Sequence, residues 1–162
     1  MLDILNINLI ELNIEKSNKE KVIKELAQLM DNENRLFDCE KYVENVLERE
    51  KLTSTGFGFG VAIPHGKSDA VKEATVAVGR IPEGVEWKAL DGQPVNIVFL
   101  LAVPKESATD MHLKILAALA RKLMDEEFIG LLKGSSTKEE MLDVLSGVFK
   151  SIYVYSGGEY YE

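Results

Sequence analysis

Residues 50–66 read EKLTSTGFGFGVAIPHG, and the succession of residue types in that stretch decides how the rest of the chain is laid out. Its first residues close a helical pattern: within 38–51, Val43, Val46 and Leu47 share one face, charge covers the other, and Arg49 falls in the last turn. Glycine then recurs at 56, 58 and 60, so 53–60 is expected to be a shaped loop and not the interior of a regular element. Val61, Ala62 and Ile63 form a short β-type run that Pro64 stops. This sets His65 and Gly66 at the carboxyl end of a strand, where open α/β sheets build their sites. Pro64 fixes the backbone before His65 and Gly66 removes a side chain after it, so the imidazole is presented on a stiff stem.

The pattern extends in both directions. Residues 5–14 (LNINLIELNI) mix apolar and polar positions as a first strand would. Residues 17–31 open on Ser17 with Glu20 three positions on, then place Val22, Ile23, Leu26, Leu29 and Met30 at helical spacing. Downstream, 75–81 (TVAVGRI) is a β-branched strand ending in a turn at 82–84. Asp91-Gly92 marks another turn, and 95–103 is a central strand ended by Pro104. A long helix over 107–124, capped by Ser107 and Asp110, places His112 near its start, and shorter helices over 126–133 and 137–147 follow. Interspersed helices and strands predict one α/β (α+β) domain over 1–148, with a mixed β-sheet flanked by helices on both sides. Residues 149–162 (FKSIYVYSGGEYYE) hold four of the five tyrosines and differ in composition; an edge strand, a contact with a second copy and an appended remnant all fit them.

A chain of 162 residues, 46% hydrophobic and 28% charged, has the size and composition of one folded domain. With 19 Lys+Arg against 27 Asp+Glu the net charge is −8, so nonspecific attraction to nucleic acid or anionic lipid has no source, and an anionic ligand must be held locally. The single cysteine, Cys39, forms no intramolecular disulfide and reads as buried. Asp3 stands where a signal peptide would carry positive charge, so the expected location is cytosolic. The longest apolar run, 97–103 (IVFLLAV), falls far short of the ~20 residues of a membrane-spanning helix and reads as a buried strand, with no direct membrane insertion.

Few chemistries fit the reactive side chains. The Gly-x-Gly-x-Gly of 56–60 precedes a strand, whereas nucleotide-binding glycine loops follow one and open a helix. His65 and His112 lack a short metal-ligand spacing, and neither a His-Glu-x-x-His nor a Gly-x-Ser-x-Gly motif is present. No metal or cofactor is expected. A neutral imidazole is a good nucleophile near neutral pH, yet the residues alone leave His65 evenly divided between a functional and a structural role. His112, on an apolar helix, taken alone reads as structural.

The spacing within 50–66 resembles the active-site segment of the fructose/mannitol-type EIIA domains of the bacterial sugar phosphotransferase system. An acidic residue, six residues, Phe57-Gly58, two residues, and then Val61-Ala62-Ile63-Pro64-His65-Gly66 follow that family's signature at every defined position. The similarity continues through 91–95 (DGQPV), the strand into 102–104 (AVP), and His112-Leu113 opening a helix that runs to 120–123 (ARKL), covering about 3–147. It implies that His65 accepts a phosphoryl group from the phosphohistidine of the carrier protein HPr. The group then passes to a cysteine of an EIIB domain, which phosphorylates a sugar entering through a membrane EIIC domain.

His112 matches the family's second active-site histidine and Arg49 its active-site arginine. Arg49 would offer planar donors to the phosphoryl oxygens, His112 a hydrogen bond, and the start of the 107–124 helix a partial positive charge. Lys67 and Arg49 are candidates for the local positive charge that a partner would meet. The runs DGQPVNIVFLLAVP and LARKLMDEEF look most like fructose-type domains; nitrogen-type regulatory EIIA proteins share the fold and act by binding other proteins. Phe59 stands where many members carry Asn or Glu, at a position expected close to the active histidine.

Overall fold

The computed structural model describes the backbone of residues 4–106 and 111–155 and the side chains of 4–106 and 113–149. In chain order the elements are a 3-10 turn (Ile7–Leu9), β1 (Ile10–Glu11), α1 (Lys19–Asn32), α2 (Cys39–Leu52), β2 (Gly56–Gly58), β3 (Val61–Ala62) and β4 (His65–Ser68). After these come β5 (Thr75–Val85), β6 (Val95–Pro104), α3 (Met111–Lys122), α4 (Glu126–Gly134) and α5 (Lys138–Tyr155). The apolar run at 97–103 is the spine: every residue from Ile97 to Val103 is at most 1% exposed, as an unalternating strand covered on both faces should be. Each Leu, Ile or Phe buried there contributes about 1.5–3 kcal/mol.

The sheet is mixed, with strand order β1-β5-β6-β3-β2 and β4 also paired to β6. β5 runs antiparallel to β6, whereas β3 and β4 run parallel to it. Helices α1 and α2 pack together on one face. A side chain at Gly79 of β5 would come within 2.5 Å of Ile14 and 3.0 Å of Leu26, so α1 sits close enough there to require glycine. Gly79 pairs with Val98 and Gly66 with Ala102, which puts both glycines on the α1/α2 side. Helix α3 packs on β6 and α5, and α4 packs on α5, forming the second helical group.

Several boundaries differ from expectation, each for a physical reason. The N-terminal strand shrinks to Ile10–Glu11 because Asn6 accepts from the Asn8 amide and caps a 3-10 turn first. Helix α1 is capped by Asn18, whose Oδ1 accepts from Lys21 N at 2.9 Å, and not by Ser17. Residues 56–58, expected as loop, are a strand. The turn expected at 82–84 lies inside β5, where the register shifts between Arg80 and Val85 and Gly84 takes φ +79. Helix α5 continues through Phe149, which is 5% exposed, to Tyr155, so the change of composition at 149 is not a break in the backbone and the first part of that tail is helix, not an edge strand. The expected cap residues Ser107 and Asp110 and the remainder of the tail, 156–162, lie outside the described residues. Among the described residues no helix is long and apolar enough to cross a membrane.

Candidate functional site

His65 is where the strand beside β6 restarts. Val61 and Ala62 pair with Ile97 and Val98, and His65 to Ser68 pair with Leu101 to Pro104 in the same register, so β3 and β4 form one parallel line interrupted at Ile63-Pro64. Proline has no N–H for the ladder, yet Pro64 O still accepts from Leu101 N at 3.0 Å. His65 therefore opens a strand instead of following the end of one: β6 runs on past the proline and supplies the template on which pairing resumes.

The imidazole is half-buried, and its Nδ1 lies 3.0 Å from Ile63 O. A carbonyl oxygen only accepts, so this contact puts the proton of the neutral ring on Nδ1 and the lone pair on Nε2. Side chains alternate along a strand, so His65 and the half-buried Lys67 point away from the α1/α2 face that Gly66 borders. That direction is the side on which α3 packs against β6.

Helix α2 reaches the strand at Gly66. A Cβ there would meet Asn45 Oδ1 at 2.6 Å, Val46 Cγ2 at 3.0 Å and Tyr42 Cε1 at 3.1 Å. Tyr42 also donates its hydroxyl to Leu101 O at 2.6 Å. Tyr42, Asn45 with Val46, and Arg49 recur at intervals of three to four, so they form one stripe that carries Arg49 along β4. Arg49 Nη1 donates to Thr53 O at 2.9 Å. Gly56 pairs with Ala62 and Ile63 N donates to Thr55 O, so the segment that follows α2 is joined to the strand that precedes His65. Arg49 thus closes the last turn of α2 onto the segment that leads into β2.

Glu50 follows Arg49 and is 8% exposed. Its carboxylate accepts from Lys19 Nζ at 2.9 Å, from Thr55 N at 3.2 Å and from the Thr55 hydroxyl. Trp87 Nε1 donates to Thr55 Oγ1 at 3.3 Å, and the Lys19 ammonium lies 5.3 Å from the Trp87 ring centre. The acidic position of the motif is therefore a buried anchor for the glycine-rich segment.

His112 is the second residue of α3, and its side chain lies outside the described residues. Phe59 is not beside His65. It sits at the tip of the β2–β3 hairpin, and the four positions along β6 between the partners of Val61 and His65 correspond to about 13 Å. Phe59 has φ +59, is 55% exposed, and is held by Asp91 Oδ2, 3.0 Å from its N, and by Lys133 Nζ, 3.2 Å from its O. The amides of Gln93 and Phe59 pull the Asp91 carboxyl below its usual range. Cys39 is partly buried at the start of α2, and burial, with Asp31, Asp38 and Glu40 around it, pushes its thiol up and keeps it protonated. His65 lines none of the grooves between α1 and α2, below Trp87, or beside Phe59.

A mixed sheet covered by helices, in which the strand beside β6 resumes at a half-buried histidine, places the chain among α/β proteins. The chain belongs to the family described as phosphoenolpyruvate-dependent sugar phosphotransferase system, EIIA 2, whose profile matches residues 3–148, a family of phosphotransfer components. It is 37% identical to the PTS system fructose-like EIIA component of Escherichia coli over 91% of this chain and 98% of that protein. It is 38% identical to the PTS system fructose-specific EIIABC component of Bacillus subtilis over 89% of this chain, which spans only 22% of that longer protein. Among solved structures, nitrogen regulatory protein IIA-Ntr from Neisseria meningitidis superposes with a TM-score of 0.81 at 40% identity, covering 88% of this chain and 96% of that one. The complex of enzyme IIAMTL and phosphorylated enzyme IIBMTL from Escherichia coli gives 0.77 at 28% identity, covering 90% and 99%.

Proposed function

We propose that this chain is a cytosolic phosphoryl carrier that holds the group on Nε2 of His65, receiving it from HPr and passing it to a cysteine of an EIIB domain during uptake of a fructose-type sugar. The observation that carries the reading is the Nδ1 contact with Ile63 O, which leaves the lone pair on Nε2. In the first step the Nε2 lone pair attacks phosphorus, and the bond from phosphorus to the donor imidazole nitrogen breaks with its electron pair returning to that ring. In the second, a thiolate sulfur attacks and the pair returns to Nε2. Neither step needs a metal or nucleotide; transfer of this kind is governed by positioning and by stabilisation of the charge on the equatorial oxygens. Arg49, at the end of the helix that packs on β4, supplies planar donors to the phosphoryl oxygens, and His112, in the first turn of α3, hydrogen-bonds the transferred group.

Incubation with phosphorylated HPr tests the reading. An acid-labile phosphate on His65 is expected, and an unmodified His65 would overturn it. His112→Ala is expected to leave His65 phosphorylatable and to slow onward transfer.

A second reading is favoured by the likeness to IIA-Ntr, the solved structure given above with 40% identity. In it the chain is a nitrogen-type regulatory EIIA whose phosphorylation state selects a protein partner. Rapid transfer to an EIIB cysteine supports transport; phosphorylation without such transfer supports regulation.

A further inference from the structure

We infer that Glu50 is a positioning residue for His65, acting through Thr55 and the Ile63 peptide. The inference deepens the reading of His65 as phosphoryl acceptor and rests on it. Four contacts make three successive links. The Glu50 carboxylate takes the Thr55 N–H at 3.2 Å and the Thr55 hydroxyl. Thr55 O takes the Ile63 N–H at 3.0 Å, and Ile63 O takes the His65 Nδ1–H at 3.0 Å. The atom that selects the imidazole tautomer is thus held, through one peptide and one threonine, by a carboxylate on α2.

A buried carboxylate is expensive unless its oxygens are satisfied. That of Glu50 accepts from two elements, through Lys19 on α1 and Thr55 on the loop, and Trp87 closes the far side of Thr55. An apolar residue would fill the same volume but leave the Thr55 amide and hydroxyl without their partner, freeing the segment that fixes Ile63. Glu50 also adjoins Arg49 in the chain, so a single helical turn sets both the cation and, through the relay, the ring that it serves.

The tautomer can be read without any phosphoryl donor. In unphosphorylated, uniformly 15N-labelled protein above the imidazole titration, a two-bond 1H–15N correlation spectrum reports which ring nitrogen carries the proton. The chain has only two histidines, so His112→Gln assigns the signals. The wild type is expected to hold His65 chiefly as Nδ1–H. Glu50→Gln is expected to move the population toward Nε2–H and to slow phosphorylation by phosphorylated HPr about 10- to 100-fold, the usual consequence of a small misplacement. Thr55→Val, which keeps the backbone links, is expected to give a smaller shift in the same direction, and Glu50→Asp to restore part of the wild-type pattern. Wild-type His65 nitrogen signals in folded Glu50→Gln or Thr55→Val protein would overturn the inference. A shifted tautomer in a protein whose His65 is never phosphorylated would uphold the relay while overturning the carrier function.

Discussion

Tyr42 donates its hydroxyl proton to the carbonyl of Leu101 at 2.6 Å, and Leu101 is the residue that faces His65 across the β4–β6 ladder. The bond ties α2 to the central strand at the level of the site, in fully buried surroundings. Burial, with Cys39 nearby, raises the Tyr42 hydroxyl well above its ordinary value. Above the pH at which a phenol titrates in the unfolded chain, unfolded Tyr42 releases its proton while folded Tyr42 keeps it. The unfolded state then binds fewer protons, so stability falls as pH rises. This contribution is intact below about pH 10 and declines above it by about 1.4 kcal/mol per pH unit, until the folded hydroxyl itself ionises. Tyr42→Phe is expected to lose about 1 kcal/mol near neutral pH and to lack that part of the alkaline decline. Urea unfolding followed through Trp87 fluorescence on either side of the phenol titration measures both.

Gly66 sets how closely α2 approaches the histidine strand. An alanine methyl there would lie 2.6 Å from Asn45 Oδ1, 3.0 Å from Val46 Cγ2 and 3.1 Å from Tyr42 Cε1, so the helix must retreat. Gly66→Ala is expected to destabilise by about 1–3 kcal/mol. Because Arg49 rides on the same stripe of α2, it is also expected to slow His65 phosphorylation. Adding Asn45→Ala removes the nearest clash and leaves the other two, so the double variant should recover only part of the loss in urea melts.

What the sequence made legible and what it hid divide by the range of the contacts responsible. The run at 97–103 shows no alternation, the mark of a strand covered on both faces, and Asp38 and the spacing of Val43, Val46 and Leu47 locate α2 to within a residue or so. Gly56 reads as a loop residue, yet it is in a strand: its missing side chain admits Ala89, whose Cα would lie 2.6 Å from a Cβ there, and nothing local announces that neighbour. Pro64 does end local pairing, but β6 carries the ladder past it, so His65 begins a strand. Tyr42 acts through a hydrogen bond to a residue 59 positions away, and Thr55 through bonds to Glu50, Ile63 and Trp87; neither gave a signal of its own, although Tyr42 lies on the stripe that leads to Arg49. Phe59 looked near His65 because few residues separate them, and the rise of an extended strand turns those residues into distance.

The hairpin tip carries its own strain. Phe59 sits at φ +59 between Gly58 at +108 and Gly60 at +81, in a region that disfavours a bulky L-residue by about 1–2 kcal/mol. Asparagine tolerates that conformation, and at 55% exposure the Phe59 side chain buries little that its loss would forfeit. Phe59→Asn is therefore expected to stabilise the fold by about 0.5–1 kcal/mol. Since the tip lies at the far end of β3 from the imidazole, the His65 ring-nitrogen signals are expected to stay where they are in the wild type. Urea unfolding and the 15N spectrum check the two halves of this expectation separately.

Arg49 separates a structural role from a chemical one. Its bond to Thr53 O is solvent-exposed, and α2 is already tied down by the Glu50 and Tyr42 contacts, so Arg49→Lys is expected to change stability by no more than about 0.5 kcal/mol. Lysine keeps the charge but not the planar pair of donors that fits a phosphoryl group. If Arg49 meets that group beside His65, transfer from phosphorylated HPr should slow about tenfold or more, equivalent to about 1.4 kcal/mol of lost transition-state stabilisation. Arg49→Met, which removes the charge as well, should slow it further. Paired urea melts and single-turnover phosphorylation decide the matter: a rate loss without a stability loss assigns Arg49 to the transfer step, whereas wild-type rates in both variants would reduce it to a cap on the last turn of α2.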